Sequence, residues 1–441
     1  MLNIFDTRHR ADHRKVFAIA LPMIISNIAA PMLGLVDTAI IGHLPDAIYL
    51  SAVAIGAMAI NFVYLLAVFL RMATTGITAQ AFGAQDTPRQ QRGFVQGLAV
   101  ALVLGVVMLA MQPLILWLLW QLVEATPELQ QLATDYISIR LYGAPAALAV
   151  LVILGVLLGR QQAKAAMVLV VLTNAVNVIL DVVLVIGLDL NVRGAAWASV
   201  CAEWVTAIAG LYWVTRSLGL KLRTLPRLQR HEFSALLGMN RDIFIRSLVL
   251  QLCMAMMTAY ASYYGPTTVA ANAVLLQFLM LISLGLDGIA YASEALVGQA
   301  KGQRDGHSMQ RWFKLCLFWS GLFATLYALI FALFGHSIIG LITNIPEVRE
   351  RAGEFLPWLI VLPLVAHWSY LFDGIYIGLS QSKAMRDSML LSALLGFIPA
   401  WWLSLSWQNH GLWFALCVFM VSRGAWQWWL LHRRRMLSIA T

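Results

Sequence analysis

The fold of this chain is decided by a stretch of twelve residues that occurs twice, as LGVLLGRQQAKA at residues 154–165 and as DGIYIGLSQSKA at residues 373–384. Five residues are identical, and the two copies lie 219 positions apart. The same offset superposes three residues of another segment on three in the second half: Gln80, Gly83 and Asp86 on Gln299, Gly302 and Asp305. A constant offset over separate segments predicts two homologous halves.

The sequence around both copies is strongly apolar. Of the 441 residues, 61% are hydrophobic and 12% are charged, and the mean hydropathy is +0.77. Soluble domains carry about 25% charged residues, so this composition predicts a membrane protein. Twelve apolar runs are long enough to cross about 30 Å of hydrocarbon. They lie near residues 16–41, 50–73, 94–120, 132–156, 165–188, 194–215, 243–264, 270–297, 312–341, 355–379, 388–407 and 411–432.

The positive charges predict how these spans are oriented. An even number of spans puts both termini on one side, and the segments on that side contain 23 Lys and Arg residues against three on the other. Positive loops stay in the cytoplasm, so both termini are predicted to be cytoplasmic in a bacterial inner membrane. The net charge of +9 is therefore a topological signal, and it requires no nucleic-acid partner.

The offset and the spans together predict an all-α membrane protein of two homologous six-helix bundles. The first bundle is expected at residues 1–215, a basic cytoplasmic linker at 216–241 and the second bundle at 242–441. Six helices are an even number, so the halves have the same orientation and are related by an axis along the membrane normal.

Six acidic residues fall within the predicted spans. A carboxylate at membrane depth costs at least about 2.5 kcal/mol, so each is functional by default and needs a partner, a proton or a water-filled cavity. They are Asp37, Asp181, Glu203, Asp287, Glu294 and Asp373.

The fifth span contains three polar residues, Asn174, Asn177 and Asp181, that are three and four positions apart. This spacing puts all three on one helical face. Their oxygens suit Na⁺ or a proton site. The alternative is that the amides only hold helices together. The 219-residue offset favours the cation site, because it superposes this set on three residues without polar side chains: Ala393, Gly396 and Ala400.

Asp37 lies toward the outer end of the first span, which also contains Pro22 and Pro31. Proline removes backbone hydrogen bonds and bends a helix, so the extent of the bend could respond to the charge of Asp37. The alternative is that Asp37 reaches interfacial water and that the prolines are merely those frequent in membrane helices.

Asp373 in the tenth span could be an ion or substrate contact of the second half. An ion pair with Arg246 or Arg423 is an equal alternative. Four methionines form a candidate apolar pocket, although packing in the membrane core is the competing interpretation. They are Met23, Met32, Met254 and Met257.

Signatures of direct catalysis are missing from the sequence. It contains no P-loop, no His-Glu-x-x-His and no Gly-x-Ser-x-Gly motif. The four cysteines lie in apolar stretches without paired spacing, so no disulfide or metal framework and no cofactor are expected. These absences favour a secondary transporter over an enzyme.

Four motifs carry a resemblance to a known family. They are LPMIISN at residues 21–27, LVDTAIIGHL at 35–44, TGITAQAFGA at 75–84 and NVILD at 177–181. Together they resemble the multidrug and toxic compound extrusion (MATE) family, and within it the DNA-damage-inducible F (DinF) branch. The similarity extends over essentially the whole chain.

The resemblance implies twelve helices in two V-shaped bundles around a central cavity, with rocker-switch alternating access. It also implies a cation site in the first bundle, at residues matched position by position: Asp37, Asn177, Asp181 and Ser199. A tyrosine of the fourth helix falls on Tyr136. The proline that bends the first helix of the family falls on Pro22.

These observations predict multidrug efflux by antiport. The membrane-embedded protein would export small organic compounds, amphipathic or cationic, in exchange for H⁺ or Na⁺. The rivals are a lipid-linked saccharide flippase, a membrane-embedded enzyme and a passive channel. A flippase would place cationic side chains in its cavity to hold pyrophosphate. The membrane-depth cations of this sequence instead lie nearer the ends of the predicted spans: Arg71, Arg140, Arg246 and Arg423.

Overall fold

The computed structural model describes residues 10–437 except for His43, Pro45, Leu66 and residues 221–229. The described residues are 91% helical, and no strand occurs among them. The middle of the predicted linker, residues 221–229, lies outside this part of the chain. The second part of that linker is helical, because α10 begins at Arg230.

Nine α-helices make up the part of the first half that the structure describes. They are α1 Arg10–Gly42, α2 Ala47–Leu65, α3 Phe69–Gly83, α4 Thr87–Ala110, α5 Gln112–Leu122, α6 Pro127–Leu141, α7 Ala144–Gly159, α8 Ala163–Asp181 and α9 Asn191–Ser217. A π-helical segment, Val182–Gly187, continues directly from α8.

Seven α-helices make up the described part of the second half. They are α10 Arg230–Ala261, α11 Pro266–Gly302, α12 Gly306–Ile342, α13 Pro346–Gly378, α14 Ser382–Ser392, α15 Ile398–Leu403 and α16 Asn409–Arg433. The π-helical segment Ala393–Phe397 joins α14 to α15.

Among the described residues, nine helical segments are long and apolar enough to cross a membrane, and the pair α6 and α7, bent by 49°, makes up to ten. The predicted spans at 388–407 and 411–432 lie on α14 to α15 and on α16, which are not among these ten. The count of twelve therefore stays a prediction. Large apolar side chains cover the surface, including Leu122 at 84% and Leu341 at 87% exposure, as expected of a chain that faces lipid.

The duplication is visible in the backbone. Three pairs of residues with positive φ angles lie 219 positions apart: Gln85 and Arg304, Gln161 and Ser380, Asp189 and Gln408. Residues other than glycine rarely adopt this left-handed conformation. The two halves therefore repeat the geometry of three of their turns at the offset that the sequence predicts.

Repeated glycines show why this offset is preserved. A Cβ atom at Gly155 of α7 would lie 2.6 Å from the carbonyl oxygen of Arg71 on α3. One at Gly374 of α13 would lie 2.4 Å from the carbonyl oxygen of Ala290 on α11. Only glycine allows backbones to approach this closely, so each half is built on the same close helix pair.

The chain divides into two compact units. We call the part from Ile25 to Leu237 the N-terminal unit, and the residues up to Ile24 together with those from Gly238 onward the C-terminal unit. Both boundaries fall inside helices, one in α1 and one in α10. The domain ranges expected from the sequence, 1–215 and 242–441, remain a prediction.

The starts of α1 and α10 are held by corresponding ion pairs. In the N-terminal unit, Arg92 of α4 donates twice to Glu232, the third residue of α10, over 2.8 and 3.0 Å. In the C-terminal unit, Arg311 of α12 lies 3.4 Å from Asp12, the third residue of α1. The two arginines are 219 positions apart. The first helix of each half thus begins with an acidic residue that pairs with an arginine of the other half.

Candidate functional site

Four predicted cation ligands come together in the N-terminal unit. Asp37 comes from α1, Asn177 and Asp181 from α8, and Ser199 from α9. The hydrogen-bond network orients the amide of Asn177 so that its nitrogen donates to Asp37 Oδ1 over 3.0 Å and to Asp181 Oδ2 over 2.9 Å. The amide oxygen accepts from the backbone nitrogen and the hydroxyl of Ser199, over 3.2 and 3.0 Å.

The two carboxyl groups of this cluster are neighbours, because the same amide nitrogen of Asn177 donates to both. Asp181 is only 2% exposed, and its Oδ1 has no hydrogen-bond partner within the described part of the chain. Asp37 is half-buried, and two adjacent carboxylates that are shielded from water repel each other unless a proton or a cation lies between them. This arrangement can therefore hold one H⁺ or one Na⁺.

The local structure of α8 explains how these side chains are aligned. The three- and four-residue spacing of Asn174, Asn177 and Asp181 follows the α-helical repeat. Asp181 is the last α-helical residue, and the π-helical segment begins directly after it, with the amide of Leu188 bonded to the carbonyl of Val183 over 2.9 Å. Such π-helical segments frequently occur at functional sites, and no sequence signal indicated this one.

Asn174 is not part of the carboxyl cluster. Its amide nitrogen donates to the backbone carbonyl of Ala29 on α1 over 2.8 Å. The structure thus places this predicted ligand as a link between α8 and α1, which corresponds to the helix-linking alternative, while Asn177 contacts both carboxyl groups.

Tyr136, the residue suggested by the fourth helix of the family, lies beside the cluster. It is 6% exposed and within electrostatic range of Arg140 and Asp37. Arg140 in turn donates to Glu203 over 2.9 Å, and its charge acts on both Asp37 and Asp181. Sequence reasoning named Arg140 and Glu203 as membrane-depth charges but did not pair them.

The C-terminal unit contains a second buried charged cluster, around Asp373 of α13. Its Oδ2 accepts hydrogen bonds from Arg246 of α10 and from Arg423 of α16, the latter over 2.7 Å. Its Oδ1 accepts from Gln427 over 2.8 Å. Asp373 was expected either to contact an ion or substrate or to form an ion pair with Arg246 or Arg423. The structure shows the ion pair, and it involves both arginines.

The candidate hinge and pocket residues are spread over both units. Pro22 lies within α1, two residues before the boundary at Ile24. Met257 is 2% exposed and packs in the apolar core of the C-terminal unit, with Met254 packed against that core. Met23 is 6% exposed in the same unit, whereas Met32 belongs to the N-terminal unit and is 54% exposed. A shared methionine pocket stays a prediction.

Duplicated halves of long apolar helices that enclose buried charged clusters are typical of membrane transporters. The chain belongs to the MatE family, whose model matches residues 22–183 and 243–402. One matched segment falls in each half. The protein is therefore a multi-pass membrane transporter and not an enzyme, and the family predicted from the four sequence motifs is confirmed.

Two curated relatives are similar to this chain over most of its length. The DNA damage-inducible protein F of Escherichia coli K12 is 43% identical over 415 residues, which cover 93% of this chain and 90% of that protein. The chloroplastic protein DETOXIFICATION 44 of Arabidopsis thaliana is 27% identical over 94% and 81%.

The fold is also that of an outward-facing multidrug resistance MATE family transporter of the MOP superfamily. The two chains superpose with a TM-score of 0.86 over 97% of each, at 21% sequence identity. This similarity shows the fold.

Proposed function

We propose that this protein exports small organic compounds, amphipathic or cationic, in exchange for H⁺ or Na⁺ bound at Asp37, Asn177, Asp181 and Ser199. The observation that carries the proposal is the orphaned Oδ1 of Asp181, buried beside a second carboxyl group. A buried acceptor without a donor is costly, and a bound proton or cation removes that cost.

The coupling follows from the helices that contribute the two carboxyl groups. Asp37 is on α1 and Asp181 on α8, so an occupied site joins the two helices, while an empty, doubly charged site drives them apart. Because the boundary between the units crosses α1 at Ile24, a change at Asp37 acts on a helix that belongs to both units. Pro22, two residues before that boundary, is the bending point that we assign to this change.

A cationic substrate and the coupling ion compete for the same negative charge. The ion therefore favours the conformation that releases substrate, and the substrate favours the conformation that releases the ion. The link from Asn174 to Ala29 contains no titrating group, so it holds α8 to α1 at Ala29 in both charge states and confines the separation to the part of α1 near Asp37.

The proposal is tested by ethidium export from proteoliposomes driven by a proton gradient alone or a sodium gradient alone. Asp37→Asn and Asp181→Asn are expected to abolish gradient-driven export while the protein remains inserted in normal amounts. Asp135→Asn is the matched control, because Asp135 is bound to the exposed Arg193 in an ion pair. Full transport by both site variants would overturn the proposal.

The two gradients used separately identify the coupling ion. A passive channel would give the same ethidium flux with either gradient and with none. Export that responds to one gradient and disappears in the two site variants would exclude such a channel.

A further inference from the structure

The charged cluster of the C-terminal unit has an excess of positive charge. Arg246 and Arg423 share the single carboxylate of Asp373. Arg423 is 3% exposed and Asp373 is 7% exposed. Two guanidinium groups and one carboxylate leave one positive charge without a counter-charge at membrane depth, where such a charge is costly.

The hydrogen-bond donors of this cluster are only partly used. The Nε atoms of Arg246 and Arg423 are buried and have no hydrogen-bond partner among the residues that the structure describes. Nη1 of Arg423 is directed at the sulfur of Met420, 3.3 Å away, which is a weak acceptor. The guanidinium groups therefore have donors available for a stronger acceptor.

Among the described residues, Asp373 is the acidic group that bonds to both arginines. Asp287 acts on the hydroxyl of Tyr370, which is hydrogen-bonded to Ser283 over 2.7 Å. The charged groups that act on Arg423 are Asp373 and Arg246. The first half contains no equivalent of the cluster, since the position that corresponds to Asp373 is Leu154.

We propose that Arg246 and Arg423 bind the anionic head group of an amphiphile, a carboxylate or a phosphate on an apolar tail. Arginine forks match both groups and form strong, charge-assisted hydrogen bonds with them. An apolar tail fits the setting, because two of the helices that carry the cluster, α10 and α13, are long and apolar enough to cross a membrane. The inference rests on the proposed export of small organic compounds and specifies one class of them.

Asp373 competes with the head group in this arrangement. An anion bound to the two arginines takes over hydrogen bonds that the Asp373 carboxylate now receives, and it thereby loosens the link between α13 and Arg246 on α10. The cluster of the N-terminal unit, with two carboxyl groups, repels the same head group. Compounds with a single negative charge therefore distinguish the two clusters.

The test uses 11-(dansylamino)undecanoic acid and its methyl ester, which differ only in the charge of the head group. Binding is followed by dansyl fluorescence to the protein in phosphatidylcholine nanodiscs, without any ion gradient. We expect the acid to bind at least about tenfold more tightly than the ester, as for one charge-assisted hydrogen bond. Arg246→Gln and Arg423→Gln should reduce the affinity for the acid to that for the ester and leave the ester unaffected.

Asp373→Asn separates binding from a purely structural role. Removal of the competing carboxylate should leave the affinity for the acid unchanged or raise it, whereas a cluster that only locks helices together would lose binding together with its fold. Arg423→Lys retains the charge and covers the case in which Arg423→Gln fails to fold. Arg351→Gln, a surface arginine paired with Glu354, is the control.

Equal affinities of the wild-type protein for acid and ester would overturn the inference, as would arginine variants that bind the acid normally. Competition by phosphatidylglycerol in the nanodiscs would identify the ligand as a lipid phosphate, and absence of competition as a free amphiphile. Asp37→Asn should bind the acid normally. Export that fails to depend on a gradient while acid binding persists would overturn only the proposed antiport.

Discussion

Asp12 and Arg311 are 299 positions apart in the sequence, and they form an ion pair between the first turn of α1 and α12. Glu232 and Arg92 form the corresponding pair at the start of α10, with two hydrogen bonds in place of one 3.4 Å contact. Their side chains are 18% and 19% exposed. The geometry indicates that the second pair is the stronger.

A double-mutant cycle on each pair tests this difference. With neutral replacements, thermal unfolding should give a coupling energy of about 0.5–1 kcal/mol for Arg92 and Glu232, and a smaller one for Arg311 and Asp12. A control cycle of Glu232 with Arg193, which is bound to Asp135, should give none. Equal coupling in both pairs would contradict the prediction.

The glycines at the close helix contacts should not tolerate a side chain. Gly155→Ala and Gly374→Ala each place a methyl group within 2.6 Å of a backbone oxygen, which should cost about 1–3 kcal/mol of stability. Gly321→Ala is the matched control, because its nearest atom is 3.8 Å away and helix propensity favours alanine there. Tryptophan fluorescence during thermal unfolding measures the effect, and unchanged midpoints in the first two variants would disprove it.

Pro22 should affect transport and stability in opposite directions. Pro22→Ala restores a backbone donor inside α1, so we expect a higher unfolding temperature together with slower gradient-driven export. Pro31→Ala, two turns further along the same helix, should gain stability with a smaller loss of export. A Pro22→Ala variant that is more stable and fully active would exclude Pro22 as the hinge.

Ser199 should contribute its oxygen and little else. Ser199→Ala removes the hydroxyl that donates to Asn177, so the ion concentration for half-maximal export should rise about tenfold, whereas Ser199→Thr should retain the wild-type value. Ion titrations of export in proteoliposomes measure both. Identical behaviour of the two variants would argue against Ser199 as a ligand.

The ion pair of Arg140 with Glu203 should limit the effect of the Arg140 charge on the cation site. Glu203→Gln leaves the buried guanidinium without its partner, which should cost about 3–5 kcal/mol of stability and weaken cation binding at Asp37 and Asp181. The double variant Arg140→Met with Glu203→Leu should recover most of the stability. Calorimetric unfolding in detergent checks this, and a stable Glu203→Gln protein would refute it.

The sequence predicted the features that depend on local spacing or on repetition. The offset of residues 154–165 and 373–384 predicted the duplicated turns, and the spacing within α8 placed Asn177 and Asp181 on one face. The resemblance to the family added Asp37, on another helix, to the same site. Each of these inferences needs only the helical repeat or a matched motif.

The sequence could not predict which distant charges meet. Arg246, Asp373 and Arg423 lie on three helices, and only their packing decides that both arginines share one carboxylate. Helical spacing also predicted Asn174 as a cation ligand. Spacing shows which face of α8 a side chain is on, but it does not show which atoms of the neighbouring helix that side chain contacts. The amide nitrogen of Asn174 donates instead to the carbonyl of Ala29 on α1.

The start of α1 belongs to the C-terminal unit and the start of α10 to the N-terminal unit, and this affects the order in which the two units can fold during synthesis. Asp12 in the segment Arg10–Ile24 is synthesised 299 residues before Arg311, its partner in the C-terminal unit. The N-terminal unit likewise waits for Glu232 before it is complete. Each unit therefore needs residues from the other half of the sequence before it can fold completely. In a nascent chain stalled before α12, the first turns of α1 would lack their packing partner.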